Sequence, residues 1–396
     1  MQLTIGQFIS QQRSPVAPVI VRDLRGKTII VTGANIGIGL ETAKHFARMK
    51  PARLILACRS KERGDAAVEQ IKKETGCENV ELWILNLGEF ASVKAFAERF
   101  EKEGGGRLDI LVENAAILPS AKFETTPDGW ETSFQVNYLA TSLLALLLLP
   151  TMVQTAKEYD VTPRIVVVSS EVHYWAKIDP AILEAPNPLK AYGGLDNFTS
   201  KTQGNRYAET KLLNILFTRA LNDRLNLDST NDEASKEVLP DLTTDEPPAS
   251  IIVNAVNPGY CYSNLRSTYT GPRAWFDWFM ERVLARTAEE GSRQVVWAAL
   301  GCDESENAAG GGSARQRTRE REAKMKGAYI SNASISEPSD YVIGEEGRKA
   351  QDLLWDNLLE ELTKVDPEVE KIAKEYLTPP PKKQLDPLPE SVFQGI

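Results

Sequence analysis

The sequence predicts an α/β fold built on one doubly wound, mostly parallel sheet. A glycine turn sits between a buried strand and a helix near the N-terminus, and strands alternate with helical segments to about residue 300. Each strand also ends in small or polar residues, which places those residues along one edge of the sheet, where such folds bind ligands. A chain of 396 residues can hold one large domain or two, and nothing divides this one cleanly.

The first unit is Thr28–Arg59, about the length a βαβ unit needs. Thr28–Val31 is β-branched and aliphatic, as suits a strand buried on both faces. Gly33, Gly37 and Gly39 follow with G-x3-G-x-G spacing in place of the usual G-x-G-x-x-G. Gly33 permits the turn, Gly37 lets a pyrophosphate approach the backbone, and Gly39 lets a helix expected over Leu40–Met49 lie against the sheet. Asn35, Ile36 and Ile38 complete a turn whose free N–H groups and helix dipole suit phosphate.

The second strand, Arg53–Ala57, ends in Cys58-Arg59. A carboxylate there would accept from the ribose 2′-OH of NAD. A neutral Cys58 followed by cationic Arg59 instead predicts a site for the 2′-phosphate of NADP; the alternative is an ordinary solvated arginine.

The alternation continues in order. Helix Lys61–Glu74 leads to strand Val80–Leu85, which ends at Asn86-Leu87. Helix Phe90–Lys102 precedes strand Leu108–Val112, ending at Glu113-Asn114-Ala115-Ala116. A long helix, Trp130–Leu149, comes before strand Arg164–Val168, which runs into Ser169-Ser170. A loop-rich section leads to Tyr207 and a helix ending near Leu225, and strand Ser250–Val256 stops at Asn257-Pro258-Gly259.

A formal charge of −9 without a basic cluster argues against a nucleic-acid partner. The cysteines Cys58, Cys77, Cys261 and Cys302 lack metal spacing and read as free thiols of a reducing compartment. Residues 1–26 show no signal-peptide pattern, and the run Leu143–Leu149 is too short to span a bilayer. A cytoplasmic protein without a transmembrane segment is expected.

The set TGANIGIG, ENAA, Asn137, Ser170, Tyr207-x-x-x-Lys211 and NPG resembles the classical short-chain dehydrogenases/reductases over roughly residues 26–300, with a weaker echo at Lys326–Ser331. ACRS at 57–60, SSEVH at 169–173 and YAETKLLN at 207–214 look most like the retinol-dehydrogenase-like branch. The resemblance implies a Rossmann-type domain and an NADP-dependent oxidoreductase that interconverts an alcohol and its carbonyl compound. The chemistry can be argued independently. Hydride transfer to or from carbon requires a proton to move on the substrate oxygen. Lys211, four positions after Tyr207, shares its helix face, and its charge favours tyrosinate. Tyr207 then serves as acid or base and Ser170 donates to the substrate oxygen. The resemblance further implies that Lys211 holds the nicotinamide ribose and that Asn137 kinks its helix and anchors a water relay to the lysine.

By the same resemblance Asn86 and Leu87 meet the adenine, Asn114, Ala115 and Ala116 approach the ribose, and Pro258, Gly259, Cys261 and Ser263 meet the carboxamide end. Asn86 stands where the family has Asp, ENAA replaces NNAG, and Ser263 replaces Thr. Family members commonly dimerise through two long helices, so a homo-oligomer is expected.

Tyr260–Ala285 holds Tyr260, Tyr262, Tyr269, Trp275, Phe276, Trp278, Phe279 and Met280. It reads either as a lid over an apolar substrate, spanning about 260–290, or as an amphipathic helix packed on the core or another subunit. Tyr174, Trp175 and Phe198 are candidates for the opposite wall. A hydrophobic alcohol or ketone, such as a terpenoid or polyketide of secondary metabolism, is expected rather than a sugar. The organisation reads as an N-terminal extension (1–25), a catalytic domain (26–344) with solvated insertions near 227–249 and 303–326, and a C-terminal helix with a Pro-rich tail (345–396). The alternative from another class is a catalytically silent dinucleotide-sensing or scaffold protein of the same fold.

Overall fold

In the computed structural model, which describes residues 3–225, 250–262, 280–301 and 322–378, the strands form one eight-stranded sheet in the order β3-β2-β1-β4-β5-β6-β7-β8. They are β1 (Thr28–Thr32), β2 (Arg53–Cys58), β3 (Val80–Ile84), β4 (Ile110–Glu113), β5 (Arg164–Val168), β6 (Ile252–Asn257), β7 (Tyr329–Ser331) and β8 (Ser334–Ser336). All neighbours pair in parallel except β7 and β8, which form an antiparallel hairpin. Order reverses beside β1, so the glycine turn and the end of β4 face each other at the switch point, where this architecture opens a crevice. The first six strands match the segments expected from sequence. β7 coincides with the weak echo at Lys326–Ser331, and β8 is an addition.

Helices cover both faces, as parallel strands require. After α1 (Ile5–Arg13) in the N-terminal extension, α2 (Gly37–Arg48), α3 (Lys61–Thr75) and, late in the chain, a helix at Ala288–Leu300 lie on one face; Phe46, Ile71 and Val296 share one buried cluster there with Ile29 and Val31. On the other lie α4 (Phe90–Glu103), α5 (Thr132–Tyr159) and, after the short α6 (Pro180–Leu183) and α7 (Pro188–Gly193), the long α8 (Ser200–Arg224). The Ala288–Leu300 helix is therefore α9. α8 opens with a capping box in which Thr199 accepts from the Thr202 amide, and α9 opens with another between Thr287 and Glu290.

Two helix boundaries differ from the sequence expectation. α2 begins at Gly37 rather than Leu40: Gly37 itself sits at φ +61, a turn conformation that glycine adopts freely, and the helical turn follows directly after it. The helix expected over Trp130–Leu149 runs instead from Thr132 to Tyr159, through Pro150, with a π-helical turn at Gln135–Leu139 that contains Asn137. α5 is long and apolar enough to cross a membrane, yet 78% of its apolar window is buried inside the protein. Its uniform hydrophobicity has a packing cause: a helix apolar on all sides must be covered on all sides.

That cover comes from the C-terminal segment. After the short α10 (Asp340–Ile343), α11 (Glu345–Val365) packs on α8, and α12 (Glu368–Tyr376) packs on α5. Trp355 stacks on Phe217 of α8 with 6.0 Å between ring centroids, and Leu354, Leu358, Val369 and Ile372 are buried. Arg224 at the end of α8 reaches Asp352 at 2.7 Å. Because Leu358 has no exposure, Leu358→Ala should destabilise the whole domain by about 2–5 kcal/mol. Urea denaturation followed by far-UV circular dichroism checks this, and an unchanged midpoint would mean that the C-terminal layer is not part of the core.

Candidate active site

The glycine turn is tied to its neighbours on both sides. Gly33 N donates to Ala57 O at 2.8 Å, joining it to β2. The Asn114 side chain donates to Thr32 O at 2.9 Å, and Thr32 Oγ1 accepts from the amides of Asn114 and Ala115. A Cβ on Gly39 would lie 2.5 Å from Asn114 Nδ2 and 2.6 Å from Gly33 O, so the close approach expected of this glycine is real. Gly37 has φ +61 with open space in front of it. The cap residue Ile36 offers no side-chain hydrogen bond, so the first N–H groups of α2 have no side-chain cap there. Ile36 is exposed, and Asn35 and Ile38 are partly so.

At the end of β2, Arg59 is exposed and Cys58 is buried. Burial pushes the Cys58 thiol up to about 11, while the amides of Ala34 and Asn35 oppose that shift. Ser60 caps α3 by accepting from Arg63 N. Arg63, whose charge also acts on Cys58, is a second cation at this strand end that the sequence reading missed, although three residues past a cap is where a side chain can return to the helix N-terminus. Asn86 uses its side chain locally: Oδ1 accepts from Gly88 N, and Nδ2 donates to Glu89. Leu87 is buried.

Across the crevice, Ser169 and Ser170 separate cleanly. Ser169 Oγ is buried and donates to Lys211 O at 2.8 Å, whereas Ser170 is partly exposed and caps a short 3-10 turn. The fully buried His173 holds Ser170 from behind: Nε2 accepts from Ser339 N, so Nδ1 carries the proton and donates to Ser170 O at 2.8 Å. Burial lowers its pKa to about 4, so the ring is neutral. Asn137 clasps Ile117 through both of its amide atoms and donates to Thr210.

α8 presents Tyr207 and Lys211 one turn apart, with the Lys211 amine 5.6 Å from the Tyr207 ring centroid. Lys211 is 2% exposed and donates to Val168 O, the last carbonyl of β5, at 2.7 Å. Burial lowers its amine to about 7. A cavity of about 780 Å³ lies on the far side of α8, lined by Ile178, Tyr192, Glu209 and Tyr341 among others. Residues two apart on a helix point about 200° apart. Glu209 lines that cavity, Tyr207 points away from Glu209 on the helix, and none of the four expected catalytic residues lines it.

Asn137 of α5 bonds to Thr210 of α8, Lys211 of α8 bonds to the last carbonyl of β5, and the turn Asn257-Pro258-Gly259 is tied to the residue after Ser170. Asn257 Oδ1 accepts from Gly259 N and Glu171 N. Cys261 is buried against Pro258 O, and Ala115 and Ala116 are partly exposed. Ser263, the insertion near 227–249, most of that near 303–326, the tail beyond residue 378, and Tyr269, Trp275, Phe276, Trp278 and Phe279 lie outside the described residues. Of the expected wall, Tyr174 turns to Glu337, Trp175 packs on Phe8, and Phe198 packs on Phe123.

The short chain dehydrogenase family model matches residues 27–175. The chain is 31% identical over 365 residues to a short chain dehydrogenase/reductase of Cryptosporiopsis sp., spanning 91% of this chain and 98% of that protein. The chain belongs to the short-chain dehydrogenase/reductase family. It is also 35% identical to a short chain dehydrogenase of Alternaria solani (70% and 85% covered) and 31% identical to one of Penicillium roqueforti (91% and 84%). A Pseudomonas syringae structure assigned to the short chain dehydrogenases shares the fold, with TM-score 0.50, 21% identity, and 74% and 97% coverage. Membership makes the chain an oxidoreductase with a Rossmann-type domain.

Two buried carboxyls in this family member have physical consequences. Glu113, where the family has Asn, is buried with neither oxygen hydrogen-bonded, and desolvation raises its pKa well above the usual carboxylate range. Glu171 is buried too, accepts from Asn257 at 3.0 Å, and is raised to about 7, mainly by desolvation with Asn257 and Arg286 opposing. An acid that binds its proton more tightly when folded favours the native state below its unfolded pKa, and this contribution is lost as pH rises from about 4.5 through 7. Glu171→Gln should therefore be more stable than wild type at pH 8 by up to about 3 kcal/mol, at about 1.4 kcal/mol per pH unit. The two should converge near pH 4.5. Urea midpoints at both pH values test this, and a difference independent of pH would show that Glu171 does not titrate in this range.

Proposed function

We propose that the protein is an NADP(H)-dependent oxidoreductase that interconverts a hydrophobic alcohol and its ketone or aldehyde. The observation that carries the reading is the placement of Tyr207 and Lys211 on one face of α8, with Lys211 Nζ on the end of β5 beside Ser170 and opposite the glycine turn. The residues fit a dinucleotide: the start of α2 has no side-chain cap, Gly37 leaves open space, and Gly39 brings the turn flush with Asn114. Gly33, Asn35, Ile36, Gly37, Ile38 and Gly39 would hold the diphosphate, Asn86 and Leu87 the adenine, Asn114, Ala115, Ala116 and Lys211 the riboses, and Pro258, Gly259, Cys261 and Ser263 the carboxamide end. Arg59, with Ser60 and Arg63 at the start of α3, would take the 2′-phosphate.

When bound, the dinucleotide supplies or accepts the hydride. The chain's own residues then govern the proton. Tyr207 donates it to the substrate oxygen in reduction and removes it in oxidation. Ser170, fixed by His173, donates a hydrogen bond to that same oxygen. Protonated Lys211 lowers the phenol pKa, and the positive ring of an oxidised nicotinamide would act in the same direction. Asn137 keeps α8 and the Ile117 loop in register.

The substrate reading rests on the aromatic composition of Tyr260–Ala285 and on exposed Ile36 and Tyr262 beside the crevice. A terpenoid or polyketide of cytoplasmic secondary metabolism fits that chemistry, and the retinol-dehydrogenase-like segments fit an apolar alcohol.

NADPH oxidation with a panel of hydrophobic ketones tests the reading. Wild type should turn over at least one of them, and Tyr207→Phe should lower kcat by about 10²- to 10⁴-fold. Equal, negligible rates for both would leave a silent dinucleotide-sensing protein. For the cofactor, Arg59→Ala combined with Arg63→Ala should raise KM for NADPH at least about tenfold, the loss of a charge-assisted contact, while barely moving KM for NADH. Similar changes for both cofactors would refute the 2′-phosphate site.

A further inference from the structure

The turn that closes the dinucleotide site is held by residues no family motif supplies. The N-terminal extension forms α1 (Ile5–Arg13), placed before α2 in the chain, and begins with a capping box between Thr4 and Gln7. Gln12 near its end is buried. Its Oε1 accepts from Tyr260 N at 3.1 Å, and its Nε2 donates to Tyr260 O at 2.9 Å and to Leu284 O at 3.1 Å. One side chain thus replaces a strand neighbour for Tyr260 and ties it to Leu284, the two stems of the segment expected to form the lid.

Arg286 completes the arrangement. Its amide donates to Tyr260 O and its carbonyl accepts from Tyr262 N, while its guanidinium donates to Gln11 O at 2.7 Å and to Asn332 Oδ1 at 2.9 Å. Gly259 lies directly beneath with φ +86, and a Cβ there would meet Arg286 Nη1 and Gln12 Oε1, each at 2.9 Å. From the other side, Asn257 accepts from Gly259 N and donates to Glu171, the residue after Ser170. α1 and the Ser170 turn therefore grip opposite sides of the same five residues.

We propose that Gln12 and Arg286 are positioning residues for the reaction, and that α1 is a working part of the active site: it fixes the Pro258–Tyr260 turn and the stems at Tyr260 and Leu284 in the geometry that receives the nicotinamide end of the dinucleotide. The inference rests on the dinucleotide reading above. Gln12 reaches these partners across 248 and 272 residues of chain, so the N-terminal extension is tied directly to both stems. A substitution far from the chemistry would then act through the turn, as small misplacements in a site do.

The test uses the full chain carrying Gln12→Met, which keeps length and apolar packing but removes all three hydrogen bonds, and Gln12→Glu, which keeps the acceptor and sets a carboxylate against two carbonyls. NADPH affinity is read directly by energy transfer from tryptophan, and hydrogen exchange is followed at the amides of Tyr262 and Arg286. Both variants should bind NADPH at least about tenfold more weakly and exchange those amides at least about tenfold faster, the scale of losing buried hydrogen bonds. Their urea midpoints should stay near wild type, and where a ketone substrate is found, kcat/KM should fall further than stability does. Wild-type affinity in Gln12→Met overturns the inference, even with faster exchange. A wild-type protein that fails to bind NADPH overturns the function reading as well, so the two failures are distinguishable.

Discussion

The contact on which the site depends is the one between the ends of β1 and β4 across the switch point. There the Asn114 amide reaches Thr32 O, and Thr32 Oγ1 gathers the two amides that lead the chain out of β4. Each such bond contributes only about 0.5–1.5 kcal/mol net, yet leaving any of these buried groups unpaired would cost more. The approach is possible because Gly39 has no Cβ to occupy the space that Asn114 fills. This single constraint aims the start of α2 into the crevice and sets where the Ile117 loop begins. Asn137 then grips that loop, Thr210 grips Asn137, and α8 inherits its position relative to the glycine turn.

A second theme is buried charge that local partners do not neutralise. Lys211 has a carbonyl but no carboxylate, Glu113 has no hydrogen bond at all, and Glu171 shares one amide with Asn257. Desolvation opposes the charged form of each, so the two acids rise and the amine falls. Such perturbed groups concentrate where a protein gives up stability for chemistry. His173 shows the opposite economy: it is equally buried, but both ring nitrogens are satisfied, and as a neutral ring it only stiffens the backbone of Ser170.

What the sequence revealed and concealed follows from the range of each interaction. Ile29–Val31, Leu54–Ala57 and Ile165–Val168 are buried on both faces, so their apolar runs announce strands without ambiguity. The residues at the strand ends were legible because their chemistry is local: glycines at a turn, a Tyr and a Lys one helical turn apart. Helix ends were less so: the glycine-rich start hid the first turn of α2, and packing carries α5 through Pro150. β7 is only three residues long and is specified by pairing with β6 rather than by its own composition. The bonds from Gln12 to Tyr260, from Arg286 to Gln11 and between His173 and Ser339 were illegible, because each joins positions more than a hundred residues apart and a single sequence carries no mark of that pairing.

The two terminal additions solve different physical problems. α11 and α12 answer the apolar surface of α5 and α8, with Trp355 on Phe217 and Arg224 tied to Asp352. The surfaces they cover on those two long helices are closed to a second copy of the chain, so association through them would have to use what α11 and α12 leave uncovered. α1 contributes direction rather than apolar area: Gln12 bonds the backbone of Tyr260 and Leu284, and Gln11 O receives the Arg286 guanidinium. A loop of about twenty-five residues whose stems were free would sample many geometries at the mouth of the crevice, at a cost in entropy paid whenever a ligand bound. Fixing the stems from α1 removes part of that cost in advance.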